Sequence, residues 1–281
     1  MSVTNIETLV QPGTIEEAFA ALGGGARPIS GGTDVMLRNP ESTTTLVDLM
    51  GIPMAEITET ADGFTVGANA TLTAMAEHPG LAAHLGGVLP EMLVHVGSPL
   101  LRNVATLGGH LARGRLSDVI PVLVALDATI HWYDGEHRQS PVDAFYEAGT
   151  ASTRILVTAV SFPAAEGNSA GAFHKFLRTF FDLALLNAAC VLRVDDAGII
   201  ESARVVVGET PALGVRVTDA ETALIGNPPT PEGFAEAGRI AKAAVETRGD
   251  SRASAEYRSQ LVGVAVERCL AKAAGRLGSA S

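Results

Sequence analysis

The chain is poor in cysteine and in positive charge. Cys190 and Cys269 are its only cysteines, too few for a disulfide framework or for the four thiolates of an iron–sulfur cluster. Acidic residues outnumber lysine and arginine by 31 to 20, which gives a formal net charge of -11. Nucleic acids and anionic membranes bind positive protein surfaces, so this charge argues against both as partners.

Long apolar runs are also missing. No run approaches the ~18 to 20 residues that are needed to span a bilayer. Residues 1–13 lack the basic start and apolar core of a secretory signal peptide, so we expect a cytoplasmic protein. With 47% hydrophobic and 18% charged residues, the chain has enough apolar side chains for packed cores in one large domain or a few smaller ones.

The chain has a glycine pair, Gly31-Gly32, that belongs to neither of the common phosphate-binding motifs. Gly31-Gly32 follows a strand-like stretch, residues 27–30, and precedes Thr33, without the lysine of GxxxxGK[ST] or the spacing of GxGxxG. Glycine permits positive φ, and consecutive amides in such a turn point at one place. We interpret residues 28–35 as the floor of a diphosphate site, with a plain tight turn as the alternative.

A second stretch repeats the pattern. Residues 106–110 read Thr-Leu-Gly-Gly-His, and we expect them in an irregular segment. Ser117 and Asp118 then precede an apolar run, residues 119–126, which is typical of a buried helix capped by one of the two. Asp118 is a cap, a ligand contact or both. Two such glycine turns could hold a two-phosphate linker from opposite sides.

These motifs carry a resemblance that spans almost the whole chain. Residues 30–34 match an AGGTDL-like loop and residues 102–110 an RNxATLGGN loop of the FAD-binding medium subunit of molybdenum hydroxylases, the xanthine dehydrogenase and carbon monoxide dehydrogenase family. Further matches are Ser117-Asp118, Ile155-Leu156, Lys175 and Glu256-Tyr257-Arg258. The chain therefore resembles that subunit.

The resemblance implies an α+β fold in three parts. Two modules, residues 1–53 and 54–165, form an FAD-binding domain of the vanillyl-alcohol-oxidase/PCMH type. Residues 170–281 form a C-terminal domain of antiparallel sheet and helices. The linker, residues 164–170, contains Gly, Asn and Ser and is our expected boundary.

FAD is the cofactor that the resemblance implies for this chain, with no catalytic and no metal-binding residue. Its loops would hold phosphate and ribityl oxygens, Asp118 a ribityl or ribose hydroxyl, Leu156 the adenine, and Lys175 the flavin. For Leu156 a core position is the alternative, and for Lys175 a solvated surface position. The candidate contacts are Pro28, Ile29, Ser30, Gly31, Gly32, Thr33, Asp34, Val35, Thr106, Gly108, Gly109, His110, Ser117, Asp118, Leu156 and Lys175.

His110 departs from the family, which more often has Asn or Asp at this position. A neutral imidazole can donate to a phosphate or ribityl oxygen, and we expect its charge to respond to pH near about 6.5. The alternative, a covalent flavin link, lacks the other attachment sequences. The remaining six histidines show no metal-ligand spacing.

The function that the resemblance implies is electron transfer. The chain would accept electrons from two [2Fe-2S] clusters and pass them to an external acceptor. Its partners would be a large molybdopterin subunit and a small iron–sulfur subunit, in a dimer of heterotrimers. A self-contained flavin oxidase or reductase and a scaffold subunit without cofactor are the alternatives.

Periodicity and turn signals predict the other elements. The predicted strands are 27–30, 45–49, 154–162, 172–177, 186–194 and 202–207, with hairpins at 54–60/64–68 and 129–133/138–140. The predicted helices are 15–22, 72–77, 88–96, 119–126, 231–246 and 253–277.

Overall fold

The computed structural model describes residues 5–38, 42–180, 182–211 and 213–278. Within these ranges the strands form three separate sheets, and helices pack between and against them. The predicted α+β class is confirmed. Across the same ranges, no helix combines the length and apolar character that a membrane crossing requires.

The first sheet is small and parallel. Its strands are β1 (Thr8–Val10), β2 (Arg27–Ile29) and β3 (Thr45–Asp48), in the order β1-β3-β2, with helices α1 (Ile15–Ala21) and α2 (Val35–Arg38). The predicted β-α-β unit around the first glycine pair is confirmed, whereas β1 was not predicted. The glycine pair follows β2 and so lies at the carboxyl edge of this sheet, where ligands commonly bind.

The second sheet is antiparallel. Its strands are β4 (Ile57–Thr60), β5 (Gly63–Gly67), β6 (Thr129–Tyr133), β7 (His137–Pro141) and β8 (Leu156–Pro163), in the order β4-β5-β8-β6-β7. Both predicted hairpins are confirmed. The associated helices are α3 (Leu72–Glu77), α4 (Pro79–Ala83), α5 (Val88–Leu93), α6 (Pro99–Arg102), α7 (Leu107–Arg113), α8 (Val119–Ala125) and α9 (Val142–Glu147), with 3₁₀ turns at His84–Gly86 and Thr150–Ser152.

The segment around the second glycine pair is helical, and the expectation of an irregular stretch was wrong. The Oγ of Thr106 caps α7 by accepting from the amide of Gly109. Glycine disfavours a helix interior by about 1 kcal/mol per residue, which hid this helix in the sequence. Leu107 and Leu111 are fully buried, so tertiary packing of one apolar face offsets the low propensity.

The third sheet is the short antiparallel sheet that the sequence predicts. Its strands are β9 (Asn168–Phe176), β10 (Leu186–Val194), β11 (Ile200–Gly208) and β12 (Gly214–Arg216), in the order β12-β11-β10-β9, and helices α10 (Thr218–Leu224), α11 (Pro231–Ala244) and α12 (Ala255–Ala274) follow. Strand β9 starts inside the predicted linker 164–170, because Asn168 pairs with Val194 at the end of β10. The linker prediction was therefore wrong for residues 168–170.

Helix α8 is buried on every side, as predicted: each residue from Val119 to Ala125 is buried. It belongs to the largest apolar cluster, which also contains Phe173, Ala189 and Val206 of the third sheet. One continuous core therefore joins the second and third sheets, and the residues just before α8 lie at their junction.

A cluster of charged groups on Glu91 adds to this junction. Glu91 in α5 accepts from the amide of Phe173 (2.8 Å), from Lys272 Nζ in α12 (2.8 Å) and from Arg276 (2.9 Å). Burial raises the pKa of Glu91, but the hydrogen bonds from Lys272 and Arg276 outweigh that effect and leave it below its ordinary value. The ionised carboxylate thus links the C-terminal helix to α5.

We expect the Glu91→Gln variant to lower the free energy of unfolding by about 1 to 3 kcal/mol, because two cations lose a largely buried partner. Urea unfolding measures this. The matched control is Glu236→Gln, since Glu236 pairs with Arg239 on one exposed face of α11, where solvent screens the pair and its loss should change stability much less. Equal effects of the two substitutions would contradict a structural role for Glu91.

Candidate functional site

The two glycine segments lie against each other. A Cβ atom on Gly31 would overlap the carbonyl oxygen of Val104 and come within 3.3 Å of the Cα of Ala105. Only glycine therefore fits at position 31, and the neighbour that requires it is protein backbone. The contact brings the loop after β2 to the segment that leads into α7.

The first glycine segment presents free amides. Gly32 has φ +71°, in the region that favours glycine. Among the described residues, none accepts a hydrogen bond from the amides of Gly31, Gly32, Thr33 or Asp34, and all four residues are partly exposed. Consecutive unpaired amides of this kind form an anion-binding concavity.

Asn69 fixes the start of this loop and was missed by the sequence analysis. Its side chain is buried and donates to the carbonyl oxygens of Leu49 (2.7 Å) and Ile52 (3.2 Å). The hydroxyl of Ser30 donates to Asn69 Oδ1 (2.9 Å). Ser30 is thus engaged inside the protein, and its hydroxyl positions the loop.

The second glycine segment differs, because the amides in the first turn of α7 already donate within the protein. The expectation that this segment also offers free amides was wrong. Leu107 donates to Ala70 O (3.0 Å), Gly108 to Ala68 O (2.8 Å), Gly109 to Thr106 Oγ1 (3.2 Å) and His110 to Thr106 O (3.2 Å). The acceptors are the carbonyl groups just after β5 and the capping residue Thr106. They pair the amides at the start of α7, and the sequence motif alone does not show this pairing.

The two glycines of this pair have different surroundings. A Cβ on Gly108 would lie 2.8 Å from the Cβ of Ala68, so this glycine allows close packing. Gly109 is exposed, and a Cβ there would approach only Thr106 Oγ1, at 3.1 Å. The surface at Gly109 is therefore open to a ligand.

An ion pair joins the two segments as well. The carboxylate of Asp34 lies 3.4 Å from Arg113 at the end of α7 and 3.5 Å from Arg38 in α2. Asp34 thus holds the loop against α7. Its carboxylate is paired with two arginines, and it would repel a bound anion.

His110 lies between these segments and α8. Its Nδ1 is 3.5 Å from the Oγ of Ser117, which in turn accepts from the amide of Val119 (3.3 Å). Burial lowers the pKa of His110 to about 4, although the charges of Asp118 and Asp34 oppose that shift. The expected response near pH 6.5 was therefore wrong, and the imidazole is neutral at neutral pH.

Asp118 and Lys175 form a buried ion pair across the junction of the second and third sheets. Lys175 Nζ donates to Asp118 Oδ2 (2.7 Å) and to the carbonyl of His95 (3.0 Å), and the amide of Asn187 donates to Asp118 Oδ1 (2.7 Å). The Lys175 side chain is 2% exposed, which rules out the solvated alternative. Asp118 stands at the N-cap position of α8, but its side chain makes no cap bond. The hydroxyl of Ser117 accepts from the amide of Val119 instead, so of the two predicted capping side chains only Ser117 fits.

The remaining candidates belong mainly to the framework. Pro28 and Ile29 lie in β2 and Val35 begins α2. Leu156 is 2% exposed and packs in a cluster with Val47 and other apolar residues of the first module. Its side chain is a core residue, as the alternative interpretation proposed.

Glu209 is a buried acid that the sequence analysis did not single out. It follows β11, is 5% exposed, and its Oε2 has no hydrogen-bond partner among the described residues. Its nearest cation is Arg252, at 4.0 Å. Burial and the charge of Asp118 raise the pKa of Glu209 to about 7, against the opposing charges of Arg252, Arg248 and Arg258.

The site suits a phosphate-containing ligand. The unpaired amides of residues 31–34 and the hydroxyl of Thr33 supply donors, and the open face at Gly109 supplies space beside them. Among the described residues, no three His, Cys, Asp or Glu side chains are placed to hold a metal ion. The residues present therefore fit the diphosphate of a dinucleotide such as FAD on one flank.

Comparison with known proteins gives matches along most of the chain. A family model described as an FAD binding domain in molybdopterin dehydrogenase matches residues 4–165, and one described as a CO dehydrogenase flavoprotein C-terminal domain matches residues 171–273.

Individual relatives match over similar lengths. The nicotine 6-hydroxylase medium subunit of Paenarthrobacter nicotinovorans is 30% identical, covering 94% of this chain and 96% of that protein. The carbon monoxide dehydrogenase medium chain of Afipia carboxidovorans is 28% identical, covering 95% and 96%. The solved structure of carbon monoxide dehydrogenase from Hydrogenophaga pseudoflava matches with a TM-score of 0.89 at 27% identity, covering 97% of this chain and 99% of that chain.

The pKa of Glu209 predicts a pH-dependent stability. Because the folded-state pKa, about 7, lies above the ordinary 4.5, the folded protein binds this proton more tightly than the unfolded chain does. The protonated Glu209 therefore stabilises the folded protein. This stabilisation is complete below about pH 4.5 and is lost as the pH rises through about 7. Relative to Glu209→Gln, wild type should lose up to about 3 kcal/mol of unfolding free energy over that range.

Urea unfolding of both proteins at a series of pH values measures the difference between their unfolding free energies. The histidines titrate equally in both proteins, so their effect cancels in this difference. A difference that stays constant with pH would show that the carboxyl ionises normally in the folded protein.

Proposed function

Because the chain belongs to the family of FAD-binding subunits of molybdopterin dehydrogenases, the xanthine dehydrogenase and carbon monoxide dehydrogenase family, we propose that it transfers electrons between partner subunits and an external acceptor. The resemblance seen in the sequence is confirmed. In this proposal the chain holds FAD, which would supply the redox chemistry between [2Fe-2S] clusters of a partner and the external acceptor, and the hydroxylation takes place elsewhere.

The observation that carries the proposal is the set of four unpaired amides after β2, held beside the open surface at Gly109. Backbone amides bind a diphosphate without requiring cationic side chains, which suits an acidic chain. In this proposal the amides of residues 31–34 and the hydroxyl of Thr33 hold the phosphates. Thr106 and Gly108 shape the opposite wall, since their polar groups already bond within the protein.

FAD, when bound, supplies reversible one- and two-electron redox chemistry. The chain itself contributes binding, orientation and charge. Lys175, Asp118 and Asn187 form a preorganised polar group at the junction of two sheets, and their mutual hydrogen bonds hold these polar atoms in place. We propose that this group lies beside the flavin end of the cofactor, with His110 and Ser117 between it and the phosphates.

Partner subunits belong to the same proposal. Two of the relatives are by name a medium subunit and a medium chain, which supports assembly of this chain with a large molybdopterin subunit and a small subunit that carries two [2Fe-2S] clusters. We also propose a dimer of heterotrimers, a cytoplasmic location, and a division of the chain into residues 1–53, residues 54–165 and a C-terminal domain that begins with β9 at Asn168.

The surface next to the loop supports such assembly. Val104, which contacts Gly31, is 48% exposed, and Leu100 and Leu101 in the adjacent helix α6 are 80% and 37% exposed. Clustered exposed apolar side chains are typical of protein interaction surfaces. A partner docked there would lie close to the bound cofactor.

Gly109→Val tests the cofactor assignment. The added side chain would project into the open space beside the loop while leaving the helix intact, so we expect at least about a tenfold loss of FAD affinity. Flavin fluorescence during titration of the isolated chain, and the flavin content of the complex purified with its partners, measure this.

The chain offers a matched control in Gly233→Val. Gly233 occupies the same position of α11 as Gly109 does of α7, with its amide bonded to the Oγ1 of the capping Thr230 (3.2 Å). Both variants should unfold at similar temperatures, but only Gly109→Val should lose FAD. Gly32→Val is less diagnostic, since φ +71° and side chains 3.3 Å away would strain its backbone as well. Normal flavin content in Gly109→Val would refute the assignment, and a colourless wild type would favour a scaffold subunit.

A further inference from the structure

An exposed methionine contacts the start of the loop whose amides are unpaired. Met50 is 48% exposed, and its Sδ accepts from the hydroxyl of Ser30 at 3.1 Å. Ser30 immediately precedes the amides of residues 31–34. The sulfur atom is therefore open to solvent on one side and bonded on the other to the residue that positions the loop.

The backbone around Met50 is held in place. The buried side chain of Asn69 donates to the carbonyl oxygens of Leu49 and Ile52, which lie on either side of Met50 in the chain. The amide of Ile52 also donates to the carbonyl of Leu49 (3.1 Å). This turn sets the position of the sulfur above Ser30, so the contact belongs to the framework of the loop.

The hydroxyl of Ser30 has one hydrogen and two acceptors. It donates to Asn69 Oδ1 at 2.9 Å as well as to Met50 Sδ. A thioether is a weak acceptor and an amide oxygen is a stronger one, so the bond to Asn69 dominates while the sulfur is reduced. The distribution of this single hydrogen between the two acceptors depends on the oxidation state of Met50.

We propose that Met50 is a modification site, at which a peroxide converts the thioether to the sulfoxide and thereby weakens cofactor binding by the adjacent loop. A sulfur lone pair attacks one peroxide oxygen, the O–O bond breaks, and hydrogen peroxide leaves one water molecule. Methionine loses two electrons and the peroxide gains them. Methionine sulfoxide reductase, with a thiol as electron donor, reverses the change. The proposal rests on the proposed function, which assigns the phosphates to this loop.

Oxidation of Met50 disfavours binding in two ways. The sulfoxide oxygen is a strong acceptor and competes for the Ser30 hydroxyl, which leaves the buried Asn69 Oδ1 without its donor and draws the start of the loop toward Met50. The same oxygen carries partial negative charge, which repels phosphate groups held at residues 31–34. Both effects lower the affinity for FAD.

The other methionines provide internal comparisons. Met36 lies on the other side of the same loop, close to Gly32, and is 45% exposed, but its sulfur accepts no hydrogen bond from a described residue. Met75 and Met92 are fully buried. We therefore expect a peroxide to oxidise Met36 and Met50 first, and only the oxidation of Met50 to act through Ser30.

Treatment of the full chain with hydrogen peroxide tests the inference. Peptide mass spectrometry should show one added oxygen on Met36 and on Met50, while Met75 and Met92 stay reduced. Titration with FAD, followed by flavin fluorescence, should show about threefold or more weaker binding after treatment. Incubation with methionine sulfoxide reductases and a thiol should restore the affinity.

Three variants separate Met50 from the rest of the chain. Met50→Leu keeps most of the side-chain volume, and after peroxide treatment its FAD affinity should stay within about twofold of its untreated value, although Met36 is oxidised. Met36→Leu should respond to peroxide as wild type does. Met50→Gln carries an amide oxygen in place of the sulfoxide oxygen and should weaken FAD binding without peroxide.

The outcomes distinguish this inference from the proposed function. Unchanged FAD affinity after complete oxidation of Met50, an equal loss in Met50→Leu, or a Met50 that stays reduced when Met36 is oxidised overturns the inference. The proposed function still stands in those cases if untreated wild type binds FAD and Gly109→Val does not. A wild type that binds no FAD overturns both. If Met50→Leu does not fold, Met50→Gln decides, and wild-type affinity in that variant contradicts the inference.

Discussion

The buried ion pair between Lys175 and Asp118 is the constraint on which the arrangement of this protein depends. Removing two charges from water is costly unless each finds hydrogen-bond partners. Here Asp118 binds both Lys175 and Asn187, and Lys175 also binds a backbone carbonyl. The pair can form only when the third sheet lies against the start of α8, so satisfying these charges fixes the C-terminal domain relative to the second module.

The first module is held by backbone contact and not by charge burial. Gly31 lies directly against the backbone at Val104, and Asp34 reaches Arg113 at the end of α7. The side chains of Ser30 and Asp34 hold the loop, and the amides of residues 31–34 donate to no described residue. A concave row of donors is thereby preorganised, and ligand binding need not order the loop first.

Local signals in the sequence predicted most of the fold. The hairpins, the buried helix α8 and the strands of the third sheet follow from period, turn residues and apolar runs. Helix α7 did not, because Gly108 and Gly109 lower its local propensity and its stability comes from buried leucines. The amide assignments failed for a related reason: whether a donor is free depends on strand β5 and the residues after it, which are distant in sequence.

By itself, the sequence determined the family, the α+β class and the residues of the dinucleotide site that we propose, since glycine pairs, caps and apolar periodicity act locally. Only the tertiary structure decided which amides donate to no described residue, that Lys175 is buried against Asp118, and that the Oε2 of Glu209 has no hydrogen-bond partner among the described residues. These properties depend on burial and on neighbours many residues away, because the cost of an unpaired polar group is set by the surroundings that folding creates.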